Sequence, residues 1–284
     1  MQNMTPGYRR NNILWSLRKI SLPISAGGLV LDVGSGGNPH PAADVLLEKY
    51  VDSAHRFDSM VTDRPTVLAD ACKMPFKNKA FDFTLAFHVL EHMHNPQAFL
   101  GELERVGKAG YIETPNAIFE RLIPYDIHLL EVMEIDGVLR IHKKPSAQPD
   151  NFLNGLSLTT KNAQWHEFFY ANPQLFHVTH LWKDHIRYDV INPEVSTAWF
   201  VDPEIELSAD TQLCRTREKR GIRGWYLAAM RWWYRRRRKT VDLNQFLVCP
   251  ECHGDLLFED NYYRCPACAS RYSRHPLPDF NKPV

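Results

Sequence analysis

Two stretches of the chain combine residue types and spacings that can do chemistry. Near the C-terminus, Cys249-Pro250-Glu251-Cys252 and Cys265-Pro266-Ala267-Cys268 set two Cys-x-x-Cys pairs twelve residues apart. Each pair forms a knuckle whose thiolates converge, and two knuckles close a tetrahedral Zn²⁺ site. With all four ligands (Cys249, Cys252, Cys265 and Cys268) thiolates, no position is left for water, so the zinc is structural. The second stretch is Leu29-Val30-Leu31-Asp32-Val33-Gly34-Ser35-Gly36-Gly37-Asn38. Its apolar run suits a buried parallel strand that ends in an acid and a glycine-rich turn. Such a turn lets the polar groups of a ligand meet bare backbone N–H groups.

The elements that would position these residues follow in order. A second short strand, Ala43 to Leu47, is closed by Glu48, and a third, Thr66 to Ala69, by Asp70-Ala71. A fourth, Phe81 to Phe87, leads into His88-Val89-Leu90-Glu91-His92. A helix is predicted from about Pro96 to Val106, with Phe99, Leu100, Leu103 and Val106 at core spacing. Gly107 and Gly110 break it, and Tyr111-Ile112-Glu113 opens a fifth strand that stops at Pro115. Strands and helices alternating at this pace predict an α/β fold with a doubly wound, mostly parallel sheet. Ligands of such sheets bind beyond the carboxyl ends of the strands, where Asp32, Glu48, Asp70, Phe87, His88 and Glu113 all fall.

With these motifs in view, residues 28–130 resemble the class I S-adenosylmethionine-dependent methyltransferases, in particular their broad small-molecule, type-11-like subgroup. The resemblance implies a Rossmann-like fold and S-adenosyl-L-methionine as cofactor. It implies that Asp32, Gly34, Ser35 and Gly36 cradle the methionine end, that Glu48 takes the ribose hydroxyls, and that Asp70 with Ala71 takes the adenine. Phe87 and His88 complete the expected cofactor contacts. A carboxylate can accept two hydroxyl protons at once, which suits ribose. Methyl transfer is an in-line displacement that needs mainly alignment, and a general base is optional. His128 is the first candidate for that base, with His88 and His92 behind it. Two departures from the family pattern stand out. Asn38 replaces the last glycine of the turn, and the short spacing to Glu48 leaves room for only an abbreviated first crossover helix.

The chain has 284 residues, enough for one substantial α/β domain and a small appendage. We divide it into a methyltransferase domain (1–212), a basic-aromatic helical linker (213–243) and a zinc ribbon (244–284). The region 246–280 resembles the small zinc-ribbon family whose free members activate tRNA, rRNA and protein methyltransferases by pairing with them. About 40 residues cannot bury much of a core, so metal binding would supply the folding energy.

Charge is unevenly spread. From Arg215 to Lys239 there are eleven Lys/Arg and one acid, a local +10 that leaves −9 for the remainder of a chain whose total is +1. Wound as a helix, 224–239 puts Arg231, Arg235, Arg238 and Lys239 on one flank beside Trp225, Tyr226, Trp232 and Trp233. This suits a helix lying in an anionic membrane interface, a phosphate-binding surface for RNA, or an aromatic face docked on the main domain. No run of eighteen apolar residues exists, and Arg18 and Lys19 interrupt the apolar positions Ile13, Leu14, Leu17 and Ile20, which suit an amphipathic helix rather than a signal peptide. The cysteine pattern fits a reducing, cytoplasmic setting, with peripheral contact at the inner face of the membrane through 224–239.

Function follows in three readings. The first is O-methylation of a small-molecule, glycan or lipid-linked acceptor. The second is methylation of tRNA or rRNA, with the ribbon and arginine run on the nucleic acid. Against it, Glu113-Thr114-Pro115-Asn116 stands where amino-methylating nucleic-acid enzymes carry Asn/Asp-Pro-Pro-aromatic. The third is a non-catalytic scaffold that keeps the fold as a binding surface.

Overall fold

The computed structural model describes residues 21–25, 27–51, 60–147, 163–201 and 241–284, together with the single positions Trp15, Trp225, Ala229 and Trp232. The predicted N-terminal amphipathic helix (Trp15 apart), the basic helix over 224–239 (the three single positions apart) and the boundary between 212 and 213 lie outside the described residues. Among the described residues no helix is long and apolar enough to cross a membrane.

Six strands form the main sheet: β1 (Val30–Val33), β2 (Val45–Glu48), β3 (Thr66–Leu68), β4 (Phe83–Phe87), β5 (Ala109–Pro115) and β8 (His177–Lys183), in the order β3-β2-β1-β4-β5-β8. The first five run parallel, and β8 closes the far edge antiparallel to β5. β1 is buried along its whole length, as a central strand with both faces covered must be. Its entry is fixed by two acids, since Asp44 accepts from the Val30 amide and Asp82 from that of Leu29. The expected fold class is therefore the observed one.

The helix α1 (Pro96–Val106) forms where predicted. Asn95 caps it by accepting from the Ala98 amide, and Pro96 occupies the first turn, where no intrahelical donor is needed. Phe99, Leu100, Leu103 and Val106 are buried on its sheet-facing side. The first crossover departs from expectation. Between Gly34 and Asp44 there are only turns, so the abbreviated helix does not form. Pro39 and Pro41, with the Asn38 amide turning back to the Ser35 carbonyl, leave no run in which helical bonds could start.

After β5 the chain makes the short α2 (Ala117–Leu122), then a second sheet in the order β6 (Leu130–Ile135), β7 (Val138–Lys143) and β9 (Tyr188–Val190). The helix α3 (Ala163–Ala171) precedes β8.

The C-terminal segment carries a three-stranded antiparallel sheet of β10 (Leu257–Phe258), β11 (Tyr262–Arg264) and β12 (Arg271–Ser273). It is joined to the main sheet twice. The Val248 amide donates to the Pro75 carbonyl and the Lys77 amide to that of Phe246, at 3.0 and 2.8 Å. Beyond them, the Leu68 amide donates to Pro278 and the Phe280 amide to Leu68, so residues 278–280 extend the parallel sheet past β3 and cover its edge. Leu247, Tyr263, Tyr272 and Phe280 belong to one hydrophobic cluster with Met74, Phe76 and Phe81. Phe280 is 5% exposed and lies between the rings of Tyr263 and Tyr272. We expect Phe280→Ala to cost about 3–5 kcal/mol in urea unfolding of the full chain. Because the cluster is continuous, the loss should appear as one shifted transition rather than a separate early one.

Candidate functional site

The carboxyl ends of β1, β2 and β3 converge on the glycine turn. Gly34 and Gly36 both hold positive φ, +66° and +54°. A Cβ on Gly34 would collide with Val89 at 2.6 Å, whereas one on Gly36 would meet nothing within 4 Å. The turn is thus closed on its inner side and open above Gly36. Glu48, buried at the end of β2, accepts from both the Ser35 hydroxyl and the Gly36 amide at 2.6 Å through the same oxygen. Asp32, buried at the end of β1, accepts from the His40 amide. Asp70 follows β3, accepts from the Cys72 amide and pairs with Lys49 at 3.2 Å. Beside it Ala71 is buried, and the Phe87 ring packs between His40 and Tyr111. The Cys72 thiol is pushed up to about 12 by burial and by Asp70, which keeps it from acting as a nucleophile. These residues fit S-adenosylmethionine through the open space above Gly36 and three carboxylates at successive strand ends, two of which also brace the turn.

A second constellation begins where β4 ends. His88 sits at φ +57°, a left-handed conformation uncommon outside glycine. Its ring lies between two buried carboxylates, with Nδ1 3.4 Å from Glu91 and Nε2 3.6 Å from Glu113. Burial opposes its charge, but Glu113 and Glu91 outweigh that and raise its pKa to about 9. Because 45% of the side chain is exposed, water screens part of this attraction.

Glu91 is buried, and one oxygen accepts from the Thr114 hydroxyl at 2.8 Å. Burial favours its neutral form, but the His88 ring 3.4 Å away, together with the positive charge of His92 and His128, pulls it down to about 2. His92 and His128 meet edge to face at 4.7 Å. His92 points Nδ1 at the Ile127 carbonyl, and burial holds its pKa below the usual histidine range. His128 is buried with Nδ1 hydrogen-bonded to Glu120, and the buried Lys144 lies 3.7 Å from the other oxygen of Glu120. Burial depresses the Lys144 pKa.

All three histidines chosen from the sequence therefore gather round Glu91. The sequence reading missed Glu91, Thr114, Glu120 and Lys144. Glu91 had a signal, an acid inside the otherwise apolar Val89-Leu90-Glu91-His92; Glu120 and Lys144 are brought in by tertiary packing alone. Asn116 caps α2 through the Phe119 amide and donates to the Leu175 carbonyl, so its amide is occupied structurally.

At the C-terminus, Cys249, Cys252, Cys265 and Cys268 bring their sulfurs within 4.8 Å of one another. The Cys249–Cys268 and Cys252–Cys265 separations are 3.5 and 3.4 Å, far beyond a disulfide bond and close to the edge of about 3.8 Å expected for a zinc–thiolate tetrahedron.

Residues 31–112 match the family described as the methyltransferase domain. The match spans 82 of the 284 residues and takes in β1 to β4, α1 and the start of β5. No curated protein matches the chain. Among solved structures, a Bacillus halodurans C-125 protein described as a candidate methyltransferase is 22% identical over 37% of this chain and 51% of its own, with a TM-score of 0.29. A chain from the complex containing the Haloferax volcanii Trm112 methyltransferase activator is 14% identical, covering 62% of this chain and 91% of its own, with a TM-score of 0.40. The cyclase SpnF is 24% identical over 37% and 45%, with a TM-score of 0.29. This chain thus spans about half the length of the Bacillus protein and of the cyclase.

Thr114→Val would leave a second Glu91 oxygen buried without a donor. We expect a loss of about 1–3 kcal/mol in chemical denaturation, with the far-UV spectrum unchanged.

Proposed function

We propose that the chain is an S-adenosylmethionine-dependent methyltransferase acting on a hydroxyl group of a small-molecule, glycan or lipid-linked acceptor. The observation that carries this reading is the glycine turn, open above Gly36 and flanked by Asp32, Glu48 and Asp70 within the segment that matches the methyltransferase domain. When bound, S-adenosylmethionine supplies an electrophilic methyl group on a sulfonium. The turn residues Gly34, Ser35 and Gly36 with Asp32 would hold its methionine end, Glu48 its ribose, and Asp70 with Ala71 its adenine; Phe87 and His88 would line the same floor.

The acceptor would approach over the ends of β4 and β5. There His128 and His92 keep Nε2 directed away from their Nδ1 partners and able to take the acceptor proton. His88 is the poorer proton acceptor, being held protonated at neutral pH. Aligning the acceptor supplies most of the acceleration, and proton removal is secondary for an acidic hydroxyl. The Asn116 side chain, engaged as a helix cap, argues against an amino-methylating slot at this strand end. The RNA and membrane readings of 224–239 fall on residues outside those described.

We further propose that the four cysteines hold a structural Zn²⁺ and that 244–284 is a zinc ribbon that braces the β3 edge.

Calorimetric titration of the full chain with S-adenosylmethionine tests the first reading. We expect saturable binding, weakened about tenfold or more in Asp70→Ala through loss of a charged acceptor; absence of binding by the wild-type chain would leave only the scaffold reading. For the ribbon, stripping the metal should lower the melting midpoint of the whole chain, and adding Zn²⁺ back should restore it. An unchanged midpoint after verified metal removal would overturn the structural role.

A further inference from the structure

Glu91, His92 and His128 offer one ligand atom each within 4.8 Å of one another, and the feature that sets them apart is how each is held. His92 commits Nδ1 to the Ile127 carbonyl at 2.9 Å. His128 commits Nδ1 to the Glu120 carboxylate, which is itself backed by Lys144. Glu91 commits one oxygen to the Thr114 hydroxyl, while the other is buried and accepts no hydrogen bond, with His88 Nδ1 3.4 Å away. Two imidazoles anchored through Nδ1 and one carboxylate hydrogen-bonded through a single oxygen leave two Nε2 atoms and one Oε1, the last facing only the His88 ring, as the donors a metal would take. Metal-ligating histidines are oriented in this way, the far nitrogen fixed by a carboxylate or a backbone carbonyl.

We propose that Glu91, His92 and His128 form a second metal centre, a two-histidine, one-carboxylate site for a divalent transition-metal ion of the Zn²⁺ class. Zinc binds imidazole nitrogen and carboxylate oxygen at about 2.0–2.2 Å, which puts tetrahedral ligands about 3.3 Å apart. Each of the three residues already has a ligand atom within 4.8 Å of the others, so the approach calls for side-chain rotation rather than backbone movement. The donor set differs from the four-cysteine site in softness, and with three protein ligands it keeps open coordination positions, as catalytic rather than structural zinc sites do. Glu120 is a positioning residue, acting on the metal through His128.

The three residues lie just beyond the end of β4 and ahead of β6, and the positions a metal would leave open there are where an acceptor would bind. Those positions would take a hydroxyl oxygen of the acceptor in place of the histidine base: with Nε2 of His92 and His128 on the metal, the hydroxyl proton leaves to water at a lower pKa before the oxygen lone pair bonds the methyl carbon and the carbon–sulfur pair returns to sulfur. This last step rests on the methyl-transfer reading above; the metal site itself does not.

The test uses the full chain purified without chelator and loaded with Zn²⁺ or Co²⁺. Elemental analysis should find two zinc ions per chain. Cobalt should produce thiolate charge-transfer bands from the cysteine site and, separately, visible bands without thiolate character from the second. Glu91→Gln/His128→Gln should lose the second ion and keep the thiolate bands, which also report that the chain is folded. Glu120→Gln should retain the site with affinity reduced about 10–100-fold. A wild-type chain that binds a single ion, with thiolate bands only at saturating Co²⁺, would overturn the proposal, as would a second ion retained in the double variant. Calorimetry with S-adenosylmethionine separates the two readings: cofactor binding without a second ion defeats the metal site alone, and a second ion without cofactor binding defeats methyl transfer while the site stands.

Discussion

The segment from Asp70 to Lys77 is the constraint on which the two halves of the molecule both depend. It has almost no regular structure, yet it carries the acid after β3 at one end and the attachment of the C-terminal module at the other. What holds it is a pair on α1. Glu102 accepts from the Met74 amide, and Arg105, clamped by Glu102 through two bonds, donates to the carbonyls of Met74 and Phe76. Arg105 holds the Met74 and Phe76 carbonyls towards α1, and the neighbouring Pro75 carbonyl and Lys77 amide pair with Val248 and Phe246. A charge-assisted pair on one helix therefore orders a loop, and the loop offers both Asp70 and a docking edge. Movement of the module would be felt at Asp70 through seven residues of stapled backbone.

The buried carboxylates at the other end of the sheet serve a different purpose. Glu91, Glu113 and Glu120 are 0–1% exposed, and taking such charges out of water costs several kcal/mol each before compensation. His88, Lys144, Tyr111 and Thr114 provide that compensation. An apolar cluster of the same volume would be as stable or more so. The arrangement has its rationale in what it does to the histidines: Glu91 and Glu113 hold His88 cationic and Glu120 fixes Nδ1 of His128, while the Ile127 carbonyl and burial orient His92 and keep its pKa low.

Much of this was legible in the sequence, for identifiable reasons. Strands β1 to β5 are short apolar runs punctuated by an acid or glycine, and buried parallel strands leave that trace because both faces are covered. The helix α1 announced itself by the apolar spacing of Phe99, Leu100, Leu103 and Val106. The antiparallel β8 was less visible, although its alternating burial follows His177-Val178-Thr179-His180-Leu181-Trp182-Lys183. Pairing of 278–280 with β3 joins residues some two hundred positions apart and has no local signature. The same is true of Glu120 and Lys144, whose types at those positions read as ordinary surface charge.

The missing first crossover helix changes the chemistry of the glycine turn. In a strand-turn-helix arrangement, a helix N-terminus supplies unpaired amides and a dipole at the turn. Here the connection from Gly34 to Asp44 is made of turns alone. The turn must therefore be braced from outside, and Glu48 and Asp32 do this by accepting the Gly36 and His40 amides. Bracing by carboxylates has a consequence that bracing by a helix would not. The floor of the turn is electronegative, which favours a cationic centre above it and disfavours a phosphate. A sulfonium is such a centre, whereas a dinucleotide pyrophosphate, the usual guest of glycine turns on this kind of sheet, would meet two buried acids. The shortened crossover thus makes Glu48 first a brace of the glycine turn, and a ligand with positive charge suits the end of β1 better than a phosphate.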